Sequence, residues 1–187
     1  MSNVFSLQRP NGPDGDSLLI SNGLTAVLIN ALAMAGTSVA NTRREKDLIA
    51  WLARHDQKFM GNGSAGFNLS EMPWGADFES EKRFWLAVID AAMTKVGWEI
   101  FGDISHEKPI GHLTRLREMF DALDHSMVVE PYAVPRFEEQ PWHFKCTEHG
   151  VILYDLHLDN VALTSPGVCV VCHELCASWS ACSFEAA

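Results

Sequence analysis

The stretch TRREKDLIAWLARHDQKF, residues 42–59, decides the architecture of most of this chain. Thr42 followed three residues later by Glu45 is a capping-box pattern: the hydroxyl accepts from an amide of the first turn, and the carboxylate reaches back to the cap's own N–H. Behind it Leu48, Trp51, Leu52, His55 and Phe59 recur at three- and four-residue steps, so they share one face of a helix. The pattern predicts a helix from Thr42 to about Phe59 with that face against a core.

Working outward, the same period continues on both sides. LTAVLINALAMAGTSVA (24–40) predicts a helix over about 22–35, ending at Gly36. The run superficially resembles the core of a secretory signal. The segment before it, however, carries Arg9 against Asp14 and Asp16 and is rich in proline and glycine, whereas a secretory leader begins short and positive. Asn30 also breaks the run, which is short for a bilayer. A buried helix and a cytoplasmic protein are therefore expected. On the other side, GNGSAGFNLSEMPWG (61–75) supplies turn residues with buried-type aromatics among them. Phe78 to Val96 then reads as a third helix, with Trp85, Ile89, Ala92 and Val96 as its stripe. Pro109 suits the first turn of a fourth helix, whose apolar set is Ile110, Leu113, Leu116, Phe120 and Leu123.

The period changes after this. VVEPYAVPRFEEQPW (128–142) holds three prolines and reads as a linker, and VILYDLHL (151–158) suits a short strand. The expected organisation is a flexible arm at 1–20, a helical body at 21–127, a linker at 128–142 and a small module at 143–187. The fold class is mainly α with a C-terminal zinc-ribbon-like β-hairpin, α+β overall.

All five cysteines lie in that last module. Cys146-Thr147-Glu148-His149 is a C-x-x-H pair followed by Gly150, and Cys169-Val170-Val171-Cys172 is a C-x-x-C pair 19 residues after His149. Two such pairs separated by about 15–20 residues have the spacing of a zinc ribbon, in which each pair forms a tight turn and a hairpin brings the turns together. Cys146, His149, Cys169 and Cys172 are the candidate ligands of a structural Zn²⁺. Three thiolates and an imidazole leave it no open position. Cys176 and Cys182 are left over, and Cys176 has the chemistry to replace a ligand. His143, His157 and His173 are outer-shell or surface groups.

Other chemistries fit less well. Cys169 to His173 spells C-x-x-C-H, the c-type haem attachment motif, but that attachment belongs to exported proteins. A redox dithiol wants a thioredoxin-like βαβ context that the flanks do not offer. A zinc deaminase wants H-x-E and P-C-x-x-C, whereas His157-Leu158-Asp159 has the wrong acid and Pro166 stands three residues before Cys169. No H-E-x-x-H, G-x-S-x-G or G-K-[ST] motif occurs, and GNGSAG (61–66) lacks the lysine of a phosphate loop. His55-Asp56 supplies half a dyad without an indicated nucleophile.

The formal charge is −10 over 187 residues, unevenly spread. Residues 1–118 hold 12 Lys+Arg and 14 Asp+Glu, or −2, whereas residues 119–187 hold 2 and 10, or −8. Such a surface repels phosphate backbones and attracts basic partners, which argues against direct nucleic-acid binding. Glu138, Glu139, Glu148, Asp155 and Asp159 are the candidate partner-binding carboxylates, because they gather around the linker and the expected ribbon.

The stretch DLIAWLARHDQKFMGNGSAGFNLSEMPW…FESEKRFWLAVIDAAMTKVGWE (47–99) resembles small bacterial immunity-type proteins that neutralise polymorphic or contact-dependent toxins. The shared cues are a helix ending near Asp56, the GFNLSEMPW segment (66–74), and a following helix ending in a tryptophan, here Trp98. The resemblance implies a cytoplasmic, non-enzymatic protein that binds another protein, with a basic toxin domain as partner. Two rivals stand beside it. One is a zinc-bearing enzyme or accessory subunit with a pocket lined by His55, Trp74 and Trp98. The other is a nucleic-acid-binding regulator that uses the ribbon. No membrane association is expected.

Overall fold

A computed structural model describes residues 2–7, 15–53, 55–57, 63–95, 98–101, 105–128, 144–146 and 184–186. The capping box forms as its chemistry requires. Thr42 Oγ1 accepts from the Glu45 amide at 3.2 Å, and Glu45 Oε2 accepts from the amides of Thr42 and Asn41, each at 2.8 Å. Partial burial works to raise the Glu45 pKa, but the Thr42 and Asn41 amides with the Thr42 hydroxyl outweigh it and hold the carboxyl below its ordinary value. The helix that follows, α2 (Arg43–Ala53), buries Leu48, Ile49 and Leu52 and half-buries Trp51.

This helix stops at Ala53, short of the expected Phe59. The chain turns at His55, whose amide donates to the Leu52 carbonyl at 3.0 Å while its own carbonyl accepts from Ala65 at 2.8 Å. Two short antiparallel strands, β3 (Asp56–Gln57) and β4 (Gly63–Ser64), replace the last helical turn. Pairing across the turn serves these backbone groups where a further helical turn was expected.

The helix before it runs from Asn22 to Val39 (α1), straight through the expected stop at Gly36. Gly36 is buried there, and a Cβ in its place would land on the Ile49 side chain of α2. The glycine serves close helix–helix approach, and packing overrides its low helix propensity. By length and composition α1 is apolar enough to cross a membrane, yet here it is the central core helix, packed on α2 and α3.

The expected flexible arm at 1–20 is corrected: it contains an antiparallel hairpin. Strand β1 (Ser2–Leu7) pairs with β2 (Asp16–Ser21) in the register Phe5↔Leu18 and Val4↔Leu19. Phe5, Leu7, Leu18 and Ile20 face inward and join the same core cluster as the helices. Alternate residues point to opposite faces of a strand, so Val4 and Leu19 stand opposite one another on the outer face as the exposed large apolar residues. The helical body therefore begins with a sheet that covers it.

The third and fourth helices match their stripes. Asp77 caps α3 (Phe78–Met93) by accepting from the Ser80 amide at 3.2 Å, and Trp85, Ile89 and Ala92 are buried. The helix ends at Met93 rather than Val96, because Lys95 enters the left-handed region at φ 64°. Trp98 consequently opens a separate short turn (Trp98–Phe101) instead of ending the helix. In α4 (Glu107–Ala122) Pro109 lies in the first turn, and Leu113, Leu116, Met119 and Phe120 are buried. Trp85 stacks on Phe120 at 5.8 Å between α3 and α4. Lys82 reaches across to the end of α4 and donates to the carbonyls of Asp121 and Leu123, both at 2.8 Å, where helix carbonyls lack partners.

Helices thus dominate the described residues, accompanied by three two-stranded antiparallel pairs. The third pair joins β5 (Phe144–Cys146) to β6 (Phe184–Ala186) with Cys146 opposite Phe184.

Candidate functional site

Of the four candidate zinc ligands, Cys146 is placed by the structure, as the last residue of β5. His149, Cys169 and Cys172 lie outside the described residues, as do Glu138, Glu139, Glu148, Asp155 and Asp159 and the expected strand at 151–158. Among the described residues no group of three or more histidine, cysteine or acidic side chains is gathered for a metal. What the backbone does provide is a strand that ends at Cys146, the first residue of the C-x-x-H sequence, paired with a strand that follows the C-x-x-C sequence in the chain. The donor set of three thiolates and one imidazole suits zinc by its softness and its number.

The body carries a second polar constellation that its sequence did not announce. Arg44 donates from Nε to Glu81 Oε1 at 2.7 Å, and from Nη2 to Glu81 Oε2 at 3.2 Å and to the Pro73 carbonyl. Glu81 Oε2 also accepts from the Gly75 amide at 2.8 Å. Glu81 is buried, so its charge requires this shell of donors. The knot joins the start of α2, the turn at 73–75 and the first turns of α3. Its partners stand 37 residues apart, and no local pattern links them. Each carboxylate oxygen is engaged with neighbouring groups, so the arrangement is a structural clamp.

The GFNLSEMPW segment proves equally structural. A Cβ on Gly66 would land on the Val4 backbone carbonyl, and the Ser6 amide donates to the Phe67 carbonyl at 3.1 Å. The glycine thus permits this segment to lie against β1. Asn68 then caps a short turn (Leu69–Glu71), accepting from the Ser70 amide at 3.1 Å, and Trp74 Nε1 donates to the Leu69 carbonyl at 2.7 Å.

His55, Trp74 and Trp98, which sequence reasoning offered as a pocket lining, have different surroundings. Trp74 is a core residue packed on Phe78 and Phe120, and Trp98 is buried against Phe101 and His106. His55 lies edge-on to Trp51 at 4.5 Å and Phe67 at 4.9 Å, with Nδ1 3.3 Å from the Trp51 carbonyl. Burial pushes its pKa below the ordinary histidine value, against hydrogen bonds to the Trp51 and Leu52 backbone that favour the charged ring. It is a histidine packed among aromatic rings, with its Nδ1 facing the Trp51 carbonyl.

Compared with known proteins, the chain matches no family model, no curated protein and no solved structure.

Proposed function

We propose that this is a non-enzymatic, zinc-stabilised, cytoplasmic protein-binding protein that neutralises a bacterial toxin by masking a basic surface. The observation that carries this is the partition of charge. In the body, the guanidinium groups of Arg44, Arg115 and Arg117 are each tied to carboxylates, Arg44 to Glu81, Arg115 to Asp16 and Glu118, and Arg117 to Asp90. The excess of −8 falls on residues 119–187, which also hold every cysteine. An acidic segment attracts a basic partner and speeds encounter with it.

Zinc held by Cys146, His149, Cys169 and Cys172 would supply folding free energy to a segment too small to build a large apolar core. A segment ordered before encounter loses less conformational freedom on binding, which favours affinity. Glu138, Glu139, Glu148, Asp155 and Asp159 are the carboxylates assigned to the partner. The test is association with the basic product of the neighbouring toxin-like gene, measured across a salt series. Association that slows as salt rises, and slows again with Asp155→Lys/Asp159→Lys, supports the assignment. Tight binding indifferent to both would move the interface elsewhere.

A further inference from the structure

The N-terminal hairpin meets the body's backbone through the segment 65–68. The Ser6 amide of β1 donates to the Phe67 carbonyl at 3.1 Å, and Gly66 lies close against the Val4 backbone. The Phe5 and Phe67 rings meet edge-on at 5.0 Å. Phe67 packs in turn on Trp51 at 5.1 Å and on His55 at 4.9 Å. His55 also holds the start of the segment, because its carbonyl accepts from the Ala65 amide. A titratable ring is thus joined by side chain and backbone to the segment on which β1 rests. We propose that the β1–β2 hairpin detaches as a unit, short of unfolding of the body, and that His55 couples this detachment to proton uptake.

The surroundings of the ring carry the coupling. A carbonyl only accepts, so the neutral ring keeps its hydrogen on Nδ1, toward Trp51, and an added proton goes to Nε2. The resulting cation stands between aromatic rings that solvate it less well than water does. Burial already holds the His55 pKa below its ordinary value, against the Trp51 and Leu52 backbone. The packed elements offer no compensating carboxylate among the described residues. Helix α1, β1, β4 and residues 65–68 contain no titratable side chain, and the charged residues of α2, Arg43 to Asp47, lie at its far end. Helix α3 reaches the cluster through Trp85, and its Glu81 is held by Arg44. Arg54 and Asp56 flank His55 in the chain; Arg54 stays charged throughout the relevant range, and Asp56 is controlled for below. Detachment uncovers Phe5, Leu7, Leu18 and Ile20, so it is a transient opening, and the proton changes how often it occurs. A freed His55 takes the ordinary pKa of about 6.5, so a change from pH 7.5 to 5.5 favours the open state by up to about tenfold.

Native-state hydrogen exchange of the full chain tests this, at pH 7.5 and 5.5 and corrected for intrinsic rates. The amides of Phe5 and Leu18, opposite one another in mid-ladder, should be less protected than those of α3 and α4 at both pH values. That difference marks detachment as a separate opening. Hairpin protection should then fall by up to about tenfold at pH 5.5. The helices exchange through unfolding of the whole body, which also frees His55, so their fall is the reference for full proton uptake. His55→Gln should remove the fall in the hairpin, and Asp56→Asn should keep it. Hairpin protection that ignores pH while that of the helices falls would show that the hairpin opens without freeing His55. Equal protection of hairpin and helices would show that no separate opening exists. Either result overturns the proposal, as does a fall that persists in His55→Gln or vanishes in Asp56→Asn. If His55→Gln does not fold, the two comparisons within the unaltered chain still decide.

Discussion

The body and the segment from residue 143 onward solve the folding problem with different materials. The body buries Trp85, Trp98, Phe5 and Phe120 at 1% exposure or less and surrounds them with four helices and a hairpin. The later segment has two three-residue strands among its described residues, and its sequence holds five cysteines and 5 acidic residues to 1 basic over 143–187. Apolar burial holds the first without outside help. Under the function proposed above, the second would be held by a crosslink, and in a cytoplasm that keeps thiols reduced a metal serves where a disulfide does not. A region stabilised by metal is also free to spend its surface on charge, because it need not bury that surface.

The largest effect expected is from a ligand. Cys169→Ser should lose the zinc and unfold the segment from about residue 143, while the tryptophan fluorescence of the body's four described tryptophans, Trp51, Trp74, Trp85 and Trp98, stays native. Loss of the body's cooperative transition in that variant would erase the distinction between the regions. The reverse experiment is Trp85→Ala, which removes the ring stacked between α3 and α4. It should cost about 3–5 kcal/mol in denaturant unfolding and leave zinc content unchanged. Gly66→Ala sets a methyl against the Val4 carbonyl, which is backbone and cannot swing aside. A loss of about 1–3 kcal/mol is expected from the same measurement. Lys95→Gly should act the other way, raising body stability by about 1 kcal/mol, because glycine accepts φ 64° without the strain that a side chain brings.

How much of this was legible in the sequence follows the range of the forces involved. Thr42 and Glu45 announced α2 because a capping box is written within four residues, and the stripes of α3 and α4 are equally local. Gly36 misled because its reason lies on another helix, at Ile49. The hairpin was hidden twice over. Leu18-Leu19-Ile20 is a continuous apolar run that masks the alternation, and the proline- and glycine-rich sequence between the strands reads as an unstructured arm until β1 and β2 are seen to pair. The Arg44–Glu81 knot leaves no local trace at all, since two charges 37 residues apart share a partner only after the helices pack. The candidate zinc ligands show the converse: their C-x-x-H and C-x-x-C spacing is legible in sequence, whereas three of the four lie outside the described residues.

A pH series sharpens the comparison with a smaller effect. His55 has a folded pKa below its unfolded value, so the unfolded chain takes up its proton first as pH falls. The contribution of His55 to body stability is then fully present above about pH 6.5, the ordinary histidine value, and is lost progressively below it. His55→Gln should flatten that part of the profile, read from the body's tryptophan fluorescence in denaturant titrations at each pH.

The most direct measurement is metal analysis of the purified chain joined to hydrogen exchange before and after chelation. About one zinc per chain is expected, with a gain in exchange on chelation confined to residues from about 143 onward and α1 to α4 unchanged. Absence of zinc, the presence of haem, or exchange that rises throughout the body on chelation would contradict it.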